Sequence, residues 1–292
     1  MATVALMVAP SAANVASGPA AQAAGLSAGD KYVALGSSYA SGPGLATLYD
    51  LGCFRSTGNY AHQVAAQLEL VLVDVTCSGA TTANITTTSQ TPLLGGVVRP
   101  PQIDAVTPDT DLVTVTVGGN DVDYVSSLIK YGCGDTTDVP PAGAWTFFCM
   151  LLPEPNRAAM LQTLDALPQS LSDMLARIRE RAPKARILLV TYERVVPPNG
   201  KTCPAIALSP EHASFERKVG WRLQRAFRQA RRDSDAELLD LYGPSTPHTS
   251  CPGIDPWISG WEWGPFPTGT TAFHPTPSGM TAAARRIVQR LE

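Results

Sequence analysis

Five short apolar runs rich in β-branched residues recur along the chain. They are Tyr32–Leu35, Leu70–Val75, Leu112–Val117, Ile187–Thr191 and Glu237–Leu241. Between several of these runs, apolar residues recur every three or four positions, which is the spacing of an amphipathic helix. Strands that alternate with helices predict a parallel sheet that is covered by helices on both faces.

Two long helices are predicted with definite starting points. Residues 156–181 carry a continuous apolar stripe at helical spacing, between the third and fourth predicted strands. The run Ser209-Pro210-Glu211 supplies an N-cap, a first-turn proline and a first-turn acid, so a second helix begins there. Its expected buried stripe is Phe215, Val219, Leu223 and Phe227.

The first residues differ from the rest of the chain. Residues 1–29 contain no charged side chain, Ala2–Ala9 is an apolar run, and Ala21-Gln22-Ala23 resembles a signal-peptidase cleavage site. We therefore predict a signal-peptide-like or disordered N-terminal segment over residues 1–30 and one domain over residues 31–292. A plain Ala/Ser-rich tail is the alternative interpretation of the segment.

Composition narrows the function classes. Of 292 residues, 44% are hydrophobic and only 16% are charged, and the net charge is −3. Such a chain is neither a charge-driven disordered protein nor a coiled coil, and it lacks the basic cluster expected of a nucleic-acid-binding protein. No apolar run approaches the ~18 residues that a membrane span needs, so we expect a soluble globular protein.

Six widely spaced cysteines indicate disulfides rather than a metal site. No two of them have the close spacing of a zinc knuckle or a redox pair, and an even count favours three bonds in an oxidising compartment. Sequential pairing closes short local loops, although six cysteines allow about 15 connectivities. The predicted bonds are Cys53–Cys77, Cys133–Cys149 and Cys203–Cys251.

Candidate chemistry is expected where the strands end, because sites in open parallel sheets lie at the carboxyl edge. Ser38 directly follows the first predicted strand, and His274 lies in a loop before a final helix predicted over Ser278–Arg290. A G-x-S-x-G match surrounds Ser27, but no strand precedes it, so we interpret it as a chance match.

Four blocks of sequence, in order, resemble the SGNH (GDSL-type) hydrolases, especially the secreted lipases, esterases and phospholipases of actinobacteria. The blocks are ALGSSYAS at 34–41, TCSGAT at 76–81, VGGND at 117–121 and HPTPSG at 274–279. The resemblance implies an α/β protein with a flavodoxin-like three-layer α/β/α sandwich and a five-stranded parallel sheet. It also implies a carboxylic ester hydrolase that needs neither a metal nor another cofactor.

The resemblance assigns roles to four residues. Ser38 would be the nucleophile and His274 the general base and acid. The oxyanion hole would combine the backbone N–H groups of Ser38 and Gly79 with the side-chain amide of Asn120.

Two positions depart from the family pattern. Ser37 replaces the acid of the nucleophile block, and Thr271 stands three residues before the histidine, where an acid is usual. We predict that the main-chain carbonyl of Thr271 orients His274; Asp255 or Glu262 completing a triad is the alternative. Because a carbonyl stabilises the imidazolium weakly, we expect a pKa for His274 near the ordinary ~6.5.

The predicted function is therefore a secreted, monomeric serine hydrolase that cleaves esters of lipids or other hydrophobic acyl groups. Lipase and phospholipase activity are not distinguished by the sequence. A polysaccharide acetyl-esterase is an alternative enzyme, and a non-catalytic carbohydrate-binding or envelope-binding module is an alternative class. Aromatic residues in two loops are candidates for an acyl groove or for transient contact with a lipid surface: Trp145, Phe147, Phe148, Trp257, Trp261, Trp263 and Phe266.

Overall fold

A computed structural model describes residues 25–93, 95–136, 149–251, 254–261 and 271–292. The strands in these ranges are β1 (Lys31–Gly36), β2 (Leu48–Asp50), β3 (Arg55–Ser56), β4 (Val71–Asp74), β5 (Leu112–Thr116), β6 (Arg186–Val190) and β7 (Glu237–Leu239). Five of them form a parallel sheet in the order β4-β1-β5-β6-β7, and β2 pairs with β3 in a small antiparallel hairpin. Each of the five predicted strands is confirmed.

The strand order determines where a site can form. The chain starts at β1, adds β4 on one side and then returns to place β5, β6 and β7 on the other, which is the order of a flavodoxin-like sheet. The loops that follow β1, β4 and β5 consequently meet at one edge. Tyr32 in β1 pairs with Leu72 on one side and Leu112 on the other, so these three strands are in direct contact.

Helices cover both faces of the sheet, as predicted. They are α1 (Ser38–Ser41), α2 (Tyr60–Leu68), α3 (Thr82–Thr86), α4 (Tyr124–Asp135), α5 (Arg157–Arg181), α6 (Pro210–Arg232) and α7 (Pro277–Leu291). The α2 and α7 helices pack together over one face, and α5 and α6 pack together over the other. The result is a three-layer α/β/α sandwich with one apolar core on each side of the sheet.

The two long helices begin where the sequence predicts, and the first also ends at the predicted residue, Arg181. The α5 helix continues through Pro168, and the members of its apolar stripe, from Met160 to Ile178, are buried. The α6 helix begins after Ser209, whose side chain accepts a hydrogen bond from the backbone N–H of His212 at 3.3 Å. Capping of this kind satisfies one of the free N–H groups of the first helical turn.

The three disulfides are paired as predicted. The S–S distances are 2.08 Å for Cys53–Cys77, 1.98 Å for Cys133–Cys149 and 2.02 Å for Cys203–Cys251. The first bond joins the hairpin of β2 and β3 to the loop that follows β4. Among the described helices, none is long and apolar enough to cross a membrane.

Candidate active site

Ser38, the predicted nucleophile, is the first residue of α1 and lies in a tight turn after β1. Gly36 has a φ of 143°, and a Cβ at that position would stand 2.6 Å from the carbonyl oxygen of Thr116 in β5. Only glycine therefore allows the close approach of the two chains. The backbone N–H of Ser37 donates to the same Thr116 oxygen at 2.9 Å, which fixes the turn against β5.

Ser37, which replaces the usual acid, joins a hydrogen-bonded bridge. Its Oγ lies 3.1 Å from Oη of Tyr192, and this Oη accepts a hydrogen bond from the backbone N–H of Gly119 at 3.0 Å. Tyr192 follows β6 and is buried. The bridge ties the nucleophile turn to the loop that carries Asn120. Sequence reasoning missed Tyr192, although its place at the carboxyl end of a central strand was an available signal.

The predicted oxyanion donors lie at the ends of three neighbouring strands. The loop after β4 is held against the nucleophile turn because the backbone N–H of Cys77 donates to the carbonyl of Gly36 at 3.0 Å. Two residues on, Gly79 has a φ of 85°, and its N–H donates to no backbone carbonyl in the described ranges. Asn120 donates one amide hydrogen of Nδ2 to the carbonyl of Ala80 at 2.8 Å, and among the described residues the second hydrogen of that amide has no acceptor.

His274 is buried, and its ring is oriented by a main-chain carbonyl. The Nδ1 atom lies 2.8 Å from the carbonyl oxygen of Ala272, so the prediction that Thr271 supplies this oxygen is wrong. The Thr271 carbonyl instead accepts hydrogen bonds from the backbone N–H of His274 at 3.0 Å and from Oγ of Ser259 at 2.5 Å. With the Nδ1 proton given to a carbonyl, Nε2 carries the lone pair.

The rival acids are not bonded to this ring within the described residues. The main-chain carbonyl of Asp255 lies 2.9 Å from Nδ1 of a different histidine, His248, and Asp255 lines a surface groove beside α7. Glu262 lies outside the described residues. The Nδ1 atom of His274 already has its partner in Ala272.

Tyr39 connects the nucleophile helix to the histidine loop. Its Oη donates to the carbonyl of Phe273 at 2.5 Å, and its ring centroid lies 5.4 Å from that of His274 and 4.4 Å from that of Tyr192. The residue after Ser38 is thus bonded to the residue before His274. Sequence reasoning missed this contact, because nothing local in the sequence indicates which carbonyl a tyrosine will reach.

Burial controls the charge of His274. Loss of solvent lowers the pKa of its imidazole from the ordinary value to about 4, and the hydrogen bond to the Ala272 carbonyl opposes the shift only in part. The expectation of a pKa near ~6.5 is therefore wrong. At neutral pH the ring is uncharged, which is the form that can accept a proton.

The other sequence candidates have different surroundings. Ser27 lies in a turn in which its backbone N–H donates to the Asp30 carboxylate at 2.7 Å, without the strand–turn–helix context of a nucleophile. His62 lies close to Asp74, and His212 to Asp135. Within the described ranges, no group of three His, Cys, Asp or Glu side chains could hold a metal ion.

The aromatic loop residues divide into two sets. Trp257 is largely buried and stacks on His248, and Trp261 packs against Phe273, next to His274. These two side chains therefore pack within the loops that support the site. The remaining predicted members lie outside the described residues: Trp145, Phe147, Phe148, Trp263 and Phe266.

Comparison with known proteins gives a consistent result. Residues 34–282 match the model of the GDSL-like lipase/acylhydrolase family. The chain is 34% identical over 239 residues to Lipase 2 of Streptomyces coelicolor, covering 78% of this chain and 77% of that protein. It is 28% identical over 281 residues to a lipase of Streptomyces rimosus, covering 95% and 92% of the two chains.

Solved structures resemble the fold over nearly its whole length. Phospholipase A1 from Streptomyces albidoflavus aligns with a TM-score of 0.65 and 24% identity, and the alignment covers 90% of this chain and 99% of that one. The extracellular lipase from Streptomyces rimosus aligns with a TM-score of 0.62 and 24% identity, covering 89% and 98%. At this level of identity, the likeness establishes the fold.

Proposed function

We propose that the reaction goes through an acyl-enzyme formed on Ser38, with His274 as the base. The premise is that the chain belongs to the GDSL-like lipase/acylhydrolase family and is a carboxylic ester hydrolase. The observation that carries this proposal is the hydrogen bond between Nδ1 of His274 and the Ala272 carbonyl. It leaves Nε2 as the basic nitrogen in a loop that Tyr39 bonds to the nucleophile helix.

In the proposed first step, Nε2 of His274 takes the proton of the Ser38 hydroxyl as Oγ attacks the ester carbonyl carbon. The negative charge that develops on the carbonyl oxygen is stabilised by the backbone N–H groups of Ser38 and Gly79 and by the amide of Asn120. A donor of this kind typically contributes about 10²–10³ in kcat.

Collapse of the tetrahedral intermediate breaks the bond between the carbonyl carbon and the alcohol oxygen. His274 returns its proton to the leaving alcohol, and the acyl group stays on Ser38. A water molecule then loses a proton to His274, attacks the acyl carbonyl and releases the carboxylic acid, while the proton returns to Ser38.

The proposed substrate is an ester with a hydrophobic acyl group. Support comes from relatives that are named lipases and from the exposed leucine, Leu93, that lies beside Gly79. The proposal includes secretion as a monomer, with residues 1–30 as the targeting segment and 31–292 as the catalytic domain. The three disulfides and the likeness to an extracellular lipase favour that location.

The test combines active-site labelling with a chain-length series. A serine-directed phosphonate should label the wild-type protein once, and Ser38→Ala should abolish both labelling and hydrolysis while Ser27→Ala, the matched control, changes neither. With p-nitrophenyl esters, kcat/KM should rise from the two-carbon acyl chain to longer ones. Activity on acetate alone would favour the polysaccharide acetyl-esterase, and a folded protein without labelling would favour a binding module.

A further inference from the structure

An exposed apolar loop stands next to the proposed oxyanion hole. Residues 91–98 contain no charged side chain, and they are closed at the base by an antiparallel bridge in which Gln90 and Arg99 exchange two backbone hydrogen bonds of 2.8 Å. Three of the loop's side chains face solvent, with Leu93 exposed by 66%, Val97 by 73% and Val98 by 54%.

A fourth exposed apolar side chain lies in the neighbouring turn between β2 and β3. Leu51, between β2 and β3, is 62% exposed. It adjoins the loop because Pro92 is buried against Gly52, with the proline Cβ 3.5 Å from the position of a Cβ on that glycine. We refer to Leu51, Leu93, Val97 and Val98 as the apolar rim.

The base of the apolar rim is fixed by polar contacts. The guanidinium of Arg99 donates to both carboxylate oxygens of Asp50 at 3.0 Å, and the side-chain amide of Gln90 donates to the carbonyl of Ser78 at 2.8 Å. Ser78 immediately precedes Gly79, and a Cβ at Gly79 would lie 3.3 Å from Cδ2 of Leu93. The rim is therefore attached to the edge of the site itself.

We propose that the apolar rim inserts into the surface of an uncharged lipid aggregate and so presents the site to its ester substrates. This inference rests on the proposed function. A group of exposed apolar side chains is unfavourable in water and typically marks a contact site. The occupant inferred here is lipid, because Leu93 of the rim adjoins Gly79, a proposed oxyanion donor for the ester that Ser38 would attack. A neutral surface is favoured because residues 91–98 carry no charge, and because the two arginines at the base, Arg55 and Arg99, are matched by the carboxylates of Asp50 and Asp74.

Binding can be measured without hydrolysis by using protein that carries Ser38→Ala. Co-sedimentation with phosphatidylcholine vesicles should give a partition coefficient that Val97→Ser/Val98→Ser lowers at least tenfold, because each side chain removed from water contributes about tenfold. The partition coefficient of the double variant should be the same in low and high salt. Trp221→Ser is the control, since Trp221 is an exposed apolar residue, at 51%, on a different element, α6; it should change the coefficient by less than twofold.

The competing outcomes are distinct. Equal vesicle binding by the parent and the double variant, or no binding by the parent, would overturn the inference. So would a parent that is dimeric by light scattering and becomes monomeric in the double variant, because the rim would then join two copies. If the parent binds and the double variant does not, while wild-type protein hydrolyses no ester, the inference stands and the proposed function fails.

Discussion

Replacing Tyr39 by phenylalanine removes one oxygen atom from the contact between the two halves of the proposed site. The ring, which lies 5.4 Å from the His274 ring, can stay in place, but the Phe273 carbonyl loses the Oη donor at 2.5 Å. No carboxylate among the described residues bonds to His274, and the Ala272 carbonyl that orients it belongs to the same loop. The Tyr39 hydroxyl is thus a contact that sets this loop relative to Ser38.

The size of the effect follows from burial. Tyr39 is 2% exposed, and a buried carbonyl left without its donor costs about 1–3 kcal/mol. Loss of alignment by 1 Å can cost about 10²-fold in rate. We therefore expect kcat to fall ~10–100-fold in Tyr39→Phe. We expect KM to stay within about twofold, because the hydroxyl is bonded to protein and is not exposed to substrate.

The assay is steady-state hydrolysis of a water-soluble ester, with Tyr32→Phe as the matched control. Tyr32 is equally buried, and its Oη bonds Thr114 Oγ1 at 2.8 Å within the sheet, so both variants lose one buried hydroxyl contact. Thermal unfolding should show similar losses of stability, while only Tyr39→Phe loses kcat. If Tyr39→Phe and Tyr32→Phe both keep the kcat of the wild type, or if Tyr39→Phe changes KM and not kcat, Tyr39 has no positioning role.

Two further predictions concern pH. Because burial holds the pKa of His274 at about 4, the neutral base persists well below pH 6, so kcat/KM on a soluble ester should fall only near pH 4; a midpoint of 6–7 would contradict this. Burial raises the pKa of Glu216 to about 8, and its Oε1 accepts a hydrogen bond from Ser127 at 2.7 Å. The folded protein thus holds a proton that the unfolded chain releases above about pH 4.5, so this group lowers stability progressively from about pH 4.5 to about pH 8, and the loss levels off above pH 8. Urea unfolding should show that Glu216→Gln gains stability relative to wild type between pH 5 and pH 9, and a constant difference would refute the assignment.

The fold could be predicted from the sequence because the apolar residues of its helices and strands recur with strong local periodicity. The apolar run at 112–117 forms the central strand, which is buried on both faces, and the apolar stripe of α5 is buried beside it. Three of the four SGNH-like blocks fall just after β1, β4 and β5. Gly36 and Gly79 were accessible for a related reason, since positive φ angles and close backbone contacts require glycine.

The contacts between distant segments could not be predicted from the sequence in the same way. Tyr192 reaches Ser37, and Tyr39 reaches Phe273, only after β6 and the histidine loop have packed against β1 and α1. The error over the orienting carbonyl has a similar origin. Phe273 adopts a φ of 59°, and no residue type in the loop indicates that a non-glycine residue will take this conformation. Which of two successive carbonyls points at the His274 ring depends on that backbone geometry.

The missing acid has several functions in a Ser–His–Asp triad, and this chain assigns them to different groups. The Ala272 carbonyl selects the tautomer of His274, and the hydroxyls of Ser259 and Tyr39 hold the loop through its carbonyls. None of these groups carries a full negative charge that could stabilise the imidazolium. Burial of the ring further disfavours the imidazolium. Because the cation is costly here, the proposed mechanism depends more heavily on its anionic half, for which Ser38, Gly79 and Asn120 are the proposed donors to the developing oxyanion. Removing the Asn120 amide should therefore be at least as damaging as its removal from an enzyme with a complete triad.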